Sequence, residues 1–190
     1  MSAEVRLYSI LWQQQLRGFA PFAASTPMVC FSESPPDHLD WLLQRGWQPW
    51  GLVFTRQSVY QVDGGPVWYA RSQQHEQLSE PHRSWAVRFD ANPYSRSDWL
   101  HEREWRAPHP LLHLPAGSVY AVITGKPGWQ PWGSVQREVL IDPETGMLVD
   151  PSHPRAYPQP TMFTELPPLW AGIRTWHWDA ATGRIVRPIL

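Results

Sequence analysis

The nine residues Asp98 to Arg106, Asp-Trp-Leu-His-Glu-Arg-Glu-Trp-Arg, force a choice between two backbones, and that choice decides what the chain can do. As a strand, period-two alternation puts Glu102 and Glu104 on one face with Leu100 and Arg106, while Trp99, His101, Arg103 and Trp105 point the other way. As a helix, the two glutamates stand about 200° apart around the axis and Glu102 pairs with Arg106 instead. Only the extended form gives a carboxylate pair facing one ligand, and a strand over Trp99 to Arg106 is the expectation.

Around this segment the chain is rich in tryptophan and proline, 13 and 21 in 190 residues. Tryptophan brings a large apolar surface with one N–H that needs a partner, which suits a loop-rich domain or an aromatic ligand groove. The length suits one domain with a proper core, residues 1–190. The formal charge of −1 does not indicate nucleic acid, or an acidic membrane surface, as a partner. Cys30 is the single cysteine and sits in the apolar run Met28-Val29-Cys30-Phe31, so a buried inert thiol is expected and a disulfide framework is excluded. No basic leader and no run near the ~20 apolar residues of a membrane helix is visible, so a cytoplasmic location without membrane attachment is expected.

Periodicity predicts a helix over Ala3 to Arg17 stopped by Gly18, a strand over Met28 to Ser32, and a second helix that starts at Ser34-Pro35-Pro36-Asp37 and ends at Gly46. Strands are expected over Gly51 to Thr55, Pro66 to Arg71, Trp85 to Phe89, Ser118 to Thr124 and Val135 to Ile141, with a short helical turn between Arg56 and Gly65. Two hairpins close on Asp142-Pro143-Glu144-Thr145-Gly146 and Asp179-Ala180-Ala181-Thr182-Gly183. Asp150 to Pro168 holds six prolines and is expected to be irregular. The hexapeptide Gly46-Trp47-Gln48-Pro49-Trp50-Gly51 recurs at Gly128 to Gly133. It reads as two Trp-Pro turns covering a sheet edge, or as two aromatic clamps on a ligand.

Two carboxylates held close together repel, so one pKa rises while the other stays low. Such a pair supplies a proton acceptor beside an anion that stabilises an oxocarbenium ion, as in cleavage of the bond between ribose and nicotinamide. The bland alternative for Glu102 and Glu104 is a surface strand with ion pairs to neighbouring arginines. Ser32 and Ser34 flank Glu33 and can hold a ribose or buttress a glutamate, although Ser34 also fits the cap of the following helix. His109 and His113 are four apart, but Pro108 and Pro110 forbid a regular helix between them, so no metal site is expected there. The chain carries no phosphate-binding glycine loop and no serine or cysteine nucleophile motif.

Four blocks, Pro27-Met28-Val29-Cys30-Phe31-Ser32-Glu33-Ser34-Pro35, Pro49-Trp50-Gly51-Leu52-Val53-Phe54, Gly65-Pro66-Val67-Trp68-Tyr69 and Glu102-Arg103-Glu104-Trp105-Arg106, resemble the AbiGi-type abortive-infection proteins of bacteria, in order and across roughly residues 5 to 125. The resemblance implies a role in phage resistance or a toxin–antitoxin pair, and a layout similar to the ADP-ribosyltransferase fold. Carried over, it makes Glu104 or Glu102 the catalytic glutamate and gives Ser32 and Ser34 the serine-motif role. Arg106 and Tyr69 complete the NAD contacts, with NAD as substrate and no metal. The transferase pattern opens with an Arg or His on a first strand, and here only Arg6 and Tyr8 stand in that part of the chain.

The expected fold is therefore α+β. A central, mostly antiparallel twisted sheet carries two N-terminal helices over a core of residues 1–125, and a Pro-rich extension with hairpins follows over 126–190. The rival expectation is a non-catalytic antitoxin or interaction module. Its Glu-Arg-Glu-Trp-Arg strand is structural, and its exposed tryptophans bind the partner protein of the pair.

Overall fold

Short strands separated by proline and glycine cannot extend into one wide sheet, and the chain folds as several small ones. A computed structural model describes residues 1–20, 26–90 and 100–187. In chain order the elements are α1 (Ala3–Gln13), β1 (Gln15–Arg17), β2 (Val29–Ser32), α2 (Pro36–Gln44), β3 (Gly51–Val53), α3 (Arg56–Tyr60), β4 (Gly65–Pro66), β5 (Trp68–Ala70), α4 (Ser72–Gln77) and α5 (Glu80–Arg83). There follow β6 (Ala86–Arg88), β7 (Glu104–Ala107), β8 (Leu111–His113), β9 (Ala121–Thr124), β10 (Gly133–Ile141), β11 (Tyr157–Glu165), β12 (Arg174–Asp179) and β13 (Arg184–Val186).

The class is α+β with mostly antiparallel pairing, but the expected central sheet is divided. A four-stranded sheet runs β13-β12-β9-β3 and a three-stranded sheet runs β2-β7-β4, while β1-β8, β5-β6 and β10-β11 form separate pairs. The pairs β9-β12 and β5-β6 are parallel. Helix α1 closes over the split, burying Leu7 and Leu11 against Val29, Leu112 and Val122. Helix α2 buries Leu43 against Ile123 and Ile185. Among the described residues no helix is long and apolar enough to cross a membrane.

Several boundaries differ from expectation for local reasons. Helix α1 ends at Gln13 rather than Arg17, because Gln14 turns into the left-handed region at φ 54° and sends the chain into β1. Gly18 serves as a close approach, with a Cβ placed there falling 2.1 Å from the His109 carbonyl oxygen. The α2 cap position is Pro35 without a side-chain cap bond, so Ser34 is released from the capping role.

The Pro-rich stretch expected to be irregular contains β11, nine residues paired along their whole length with β10. Pro158 and Pro160 are two apart on a strand with one neighbour, so both ring nitrogens face away from β10 and no ladder bond is lost. The hairpin expected around Asp142 closes on the other edge of β10, through the bridge Ile141 to Leu148 and the bonds from the Asp142 N–H to the Met147 carbonyl and from the Val149 N–H to the Leu140 carbonyl. The last hairpin forms as expected between β12 and β13, and its final residues, 188–190, lie outside the described residues.

Gly18→Ala is expected to lower the urea midpoint by an amount equivalent to about 1–3 kcal/mol, since backbone must move. Gly51→Ala, where nothing lies within 4 Å of the added carbon, is the control and should change stability far less.

Candidate functional site

The strand expected over Trp99 to Arg106 is shorter than the motif. Leu100–Glu102 form a 3-10 turn, Arg103 sits at φ 45°, and extended backbone begins at Glu104. Asp98 and Trp99 lie outside the described residues. The turn is held by bonds from a distant segment: the Glu33 N–H donates to the Arg103 carbonyl at 3.2 Å, and Ser32 Oγ donates to the Glu102 carbonyl at 2.7 Å. Glu102 and Glu104 are therefore not strand neighbours on one pleated face. They still feel each other's charge.

Beyond the turn, β7 lies between β2 and β4, with Ser32 opposite Glu104, Cys30 opposite Arg106 and Phe31 opposite Trp105. Alternation then sorts the side chains. Cys30, Ser32, Glu104 and Arg106 share one face, and Phe31 and Trp105 share the other.

On the first face, Arg106 is 3% exposed. It grips Glu104 with two bonds, Nε to Oε1 at 2.8 Å and Nη2 to Oε2 at 2.9 Å, and its Nη1 donates to the Ser84 carbonyl at 2.6 Å. The Tyr69 hydroxyl accepts the Glu104 N–H at 3.2 Å, and Ser34 Oγ lies 2.8 Å from Ser32 Oγ. Of the six residues singled out from the sequence, Ser32, Glu104 and Arg106 stand on β2 and β7, Ser34 and Tyr69 touch them from beyond β2 and from β5, and Glu102 is joined through its carbonyl, which accepts from Ser32.

Their electrostatics differ. Burial, followed by the Glu104 charge, raises the Glu102 carboxyl above its ordinary value, with His101 pulling weakly the other way. Burial also raises the Tyr69 phenol, and the charges of Glu104 and Glu102 add to that. Burial pushes the Cys30 thiol up to about 12, with Glu104 adding to the rise, so it stays protonated. An inert thiol is what the sequence led one to expect.

On the second face a cavity of about 820 Å³ opens between the two larger sheets. Phe31 and Trp105 line it from the three-stranded sheet, and Val53, Ile123 and Trp176 from the four-stranded one. Ser32 and Ser34 reach its wall; Glu102 and Glu104 do not belong to its lining. The carboxylate that does is Glu33, which sequence reasoning treated only as the residue between two serines. Glu33 Oε2 accepts the Trp105 Nε1–H at 3.0 Å, and Arg56 and Arg103 pair with its other oxygen. Against the desolvation that burial imposes, the Trp105 bond and the Arg56 charge hold this carboxyl below its ordinary range. Alternation along β2 was the available signal, since it sends Glu33 to the side opposite Ser32.

Arg6 lines the cavity, whereas Tyr8 packs on Trp12 with ring centroids 6.2 Å apart. His109 and His113 go separate ways, to the Val62 carbonyl and to the Gln15 side chain. Among the described residues no group of three or more His, Cys, Asp or Glu is placed to hold a metal ion. Comparison with family models, with curated proteins and with solved structures returns no match. The likeness to abortive-infection proteins therefore stands on the four quoted blocks.

Removing one partner of the buried pair strands the other charge, so Arg106→Met is expected to cost about 3–5 kcal/mol in urea unfolding. Adding Glu104→Met should recover a large part of that loss. A double variant no more stable than Arg106→Met alone would show that the carbonyl contacts of Arg106, rather than the pair, carry its contribution.

Proposed function

We propose that this chain is a bacterial defence or toxin–antitoxin protein whose inter-sheet cleft takes NAD in the manner of an ADP-ribosyltransferase. The observation that carries the reading is convergence. Ser32, Glu104 and Arg106 share one face of β2 and β7, Ser34, Tyr69 and the Glu102 carbonyl make contact with them from neighbouring segments, and the two serines reach the wall of a cleft between two sheets.

In this reading Ser32 and Ser34 hold the nicotinamide ribose, and Arg6 faces the pyrophosphate from α1. The bond between ribose C1′ and the nicotinamide nitrogen breaks, the electron pair leaves with nicotinamide, and an acceptor nucleophile closes on C1′. Glu102, whose raised pKa suits proton transfer, takes the acceptor's proton. Glu104 lies outside the cleft lining and opposite Ser32, so its charge, shared with Arg106, acts on the ribosyl cation through Ser32 rather than by contact. Arg106, buried against it, is a positioning residue for Glu104 and not a contact to NAD.

The second reading is a non-catalytic antitoxin or interaction module. The bidentate, nearly buried Glu104–Arg106 pair favours it, because a carboxylate spent on an internal guanidinium is a structural part.

Incubation with labelled NAD separates the two. The transferase reading expects nicotinamide release that drops by about 100-fold or more in both Glu102→Gln and Glu104→Gln. Because Glu102 must be deprotonated to act, the rate should fall as pH is lowered through its raised pKa, and Glu102→Gln should remove that acid limb. NAD neither bound nor cleaved, with tight association to the product of a neighbouring gene, would establish the module instead.

A further inference from the structure

The four-stranded sheet carries a line of two aromatic rings bracketed by two arginines that neither reading above uses. Arg174 Cζ stands 4.5 Å from the Tyr120 ring centre, Tyr120 meets Trp176 edge to face at 6.2 Å, and Arg187 Cζ stands 5.0 Å from the Trp176 ring. Register builds the order. Arg174 and Trp176 are two apart on β12 and so share a face, and they lie opposite Ala121 and Ile123 of β9, with Tyr120 just before that strand. The pairing of Trp178 with Ile185 brings Arg187 alongside from β13. Trp176 and Arg187 also line the inter-sheet cavity, so the line runs from open surface into the cleft.

Charge is concentrated along this route. The cavity wall holds Arg6, Arg17, Arg56 and Arg187 against one carboxylate, Glu33. Arg56 is paired with Glu33, but Arg6, Arg17, Arg174 and Arg187 make no ion pair to a carboxylate among the described residues.

A guanidinium that stacks by its face keeps its N–H edges free for phosphate, and an exposed aromatic ring offers a platform to a planar base. Rings flanked on both sides by arginines suit a ligand that carries a base between two phosphates. A duplex would need cations across two backbones, and the line is one residue wide. We infer that the Arg174–Tyr120–Trp176–Arg187 line binds single-stranded nucleic acid, with phosphates on the two arginines and a base against the exposed Tyr120 ring, which Trp176 supports from the core side.

The test uses the full chain without NAD, so its outcome is independent of the transferase reading. Fluorescence anisotropy is measured with end-labelled oligo-uridine RNA and oligo-thymidine DNA of about 12 nucleotides, a length within the site sizes of such grooves. Binding to one or both strands is expected, weakening as salt rises from about 50 to about 200 mM, and the two strands show whether the sugar is read. Arg174→Ala and Arg187→Ala should each weaken binding about fivefold to tenfold and lower the salt slope by about one. Tyr120→Leu should weaken it about tenfold with the salt slope unchanged. Arg184→Ala, on the outer strand beyond the line, is the control. The inference is overturned by absence of binding, by equal loss in the control, by a duplex that competes as well as the single strand, or by polyglutamate that binds as tightly.

Discussion

A guanidinium cannot be taken out of water without several compensating acceptors, and the Arg106 side chain at 3% exposure meets that requirement with one carboxylate and the backbone. Its bonds to Glu104, Ser84 and Ala86 reach from β7 to the end of α5 and the start of β6. One side chain thereby ties the three-stranded sheet to the β5-β6 pair. Glu104 is fixed in the process, Cys30 is held protonated beside it, and Glu102 is left as the carboxylate whose proton affinity is free to rise. Two acids close in sequence thus acquire opposite physical roles.

What could be read from the chain alone follows how local each determinant is. The Asp179 turn is legible because its bonds lie within five residues: Asp179 Oδ1 accepts the Ala181 N–H, and Gly183 supplies the positive φ. The 3-10 turn before β7 is not legible, because Arg103 adopts φ 45° under bonds from Ser32 and Glu33, about 70 residues away. The prolines of β11 misled for another reason. Proline excludes a central strand but not an edge strand, and which of the two applies depends on whether a further strand arrives. At the site, the same alternation rule that grouped Ser32 with Glu104 also placed Glu33 on the cleft side. The Glu-x-Glu pattern is the louder local signal, whereas the place of Glu33 depends on which face of β2 the four-stranded sheet meets.

The duplicated hexapeptide shows how far context overrides identity. Trp50, fifth in the first copy, and Trp129, second in the other, meet edge to face with centroids 5.2 Å apart, and Trp170 packs on Trp129 in turn. Their counterparts Trp47 and Trp132 are about half exposed. The two copies divide their tryptophans between packing and surface. One tryptophan of each copy closes the core, and Trp47 and Trp50 of the first copy stand on the cavity wall.

A chain of net charge −1 can still build a positive cleft, provided its acids are used elsewhere. Glu4 pairs with Lys126, Glu165 with Arg137 and Glu144 with Arg155, each on the periphery, while Asp142, Asp150 and Asp179 are turned onto backbone N–H groups in their own turns. These are local arrangements, set by turn chemistry and strand pairing rather than by the cleft. Their consequence is non-local. Arginines on α1, β1 and the final strands are left without carboxylate partners where the two sheets fail to close, and the resulting field points into the inter-sheet cavity. Summed charge conceals this, because attraction for an anionic ligand depends on the placement of the unpaired groups within about a Debye length and not on their total.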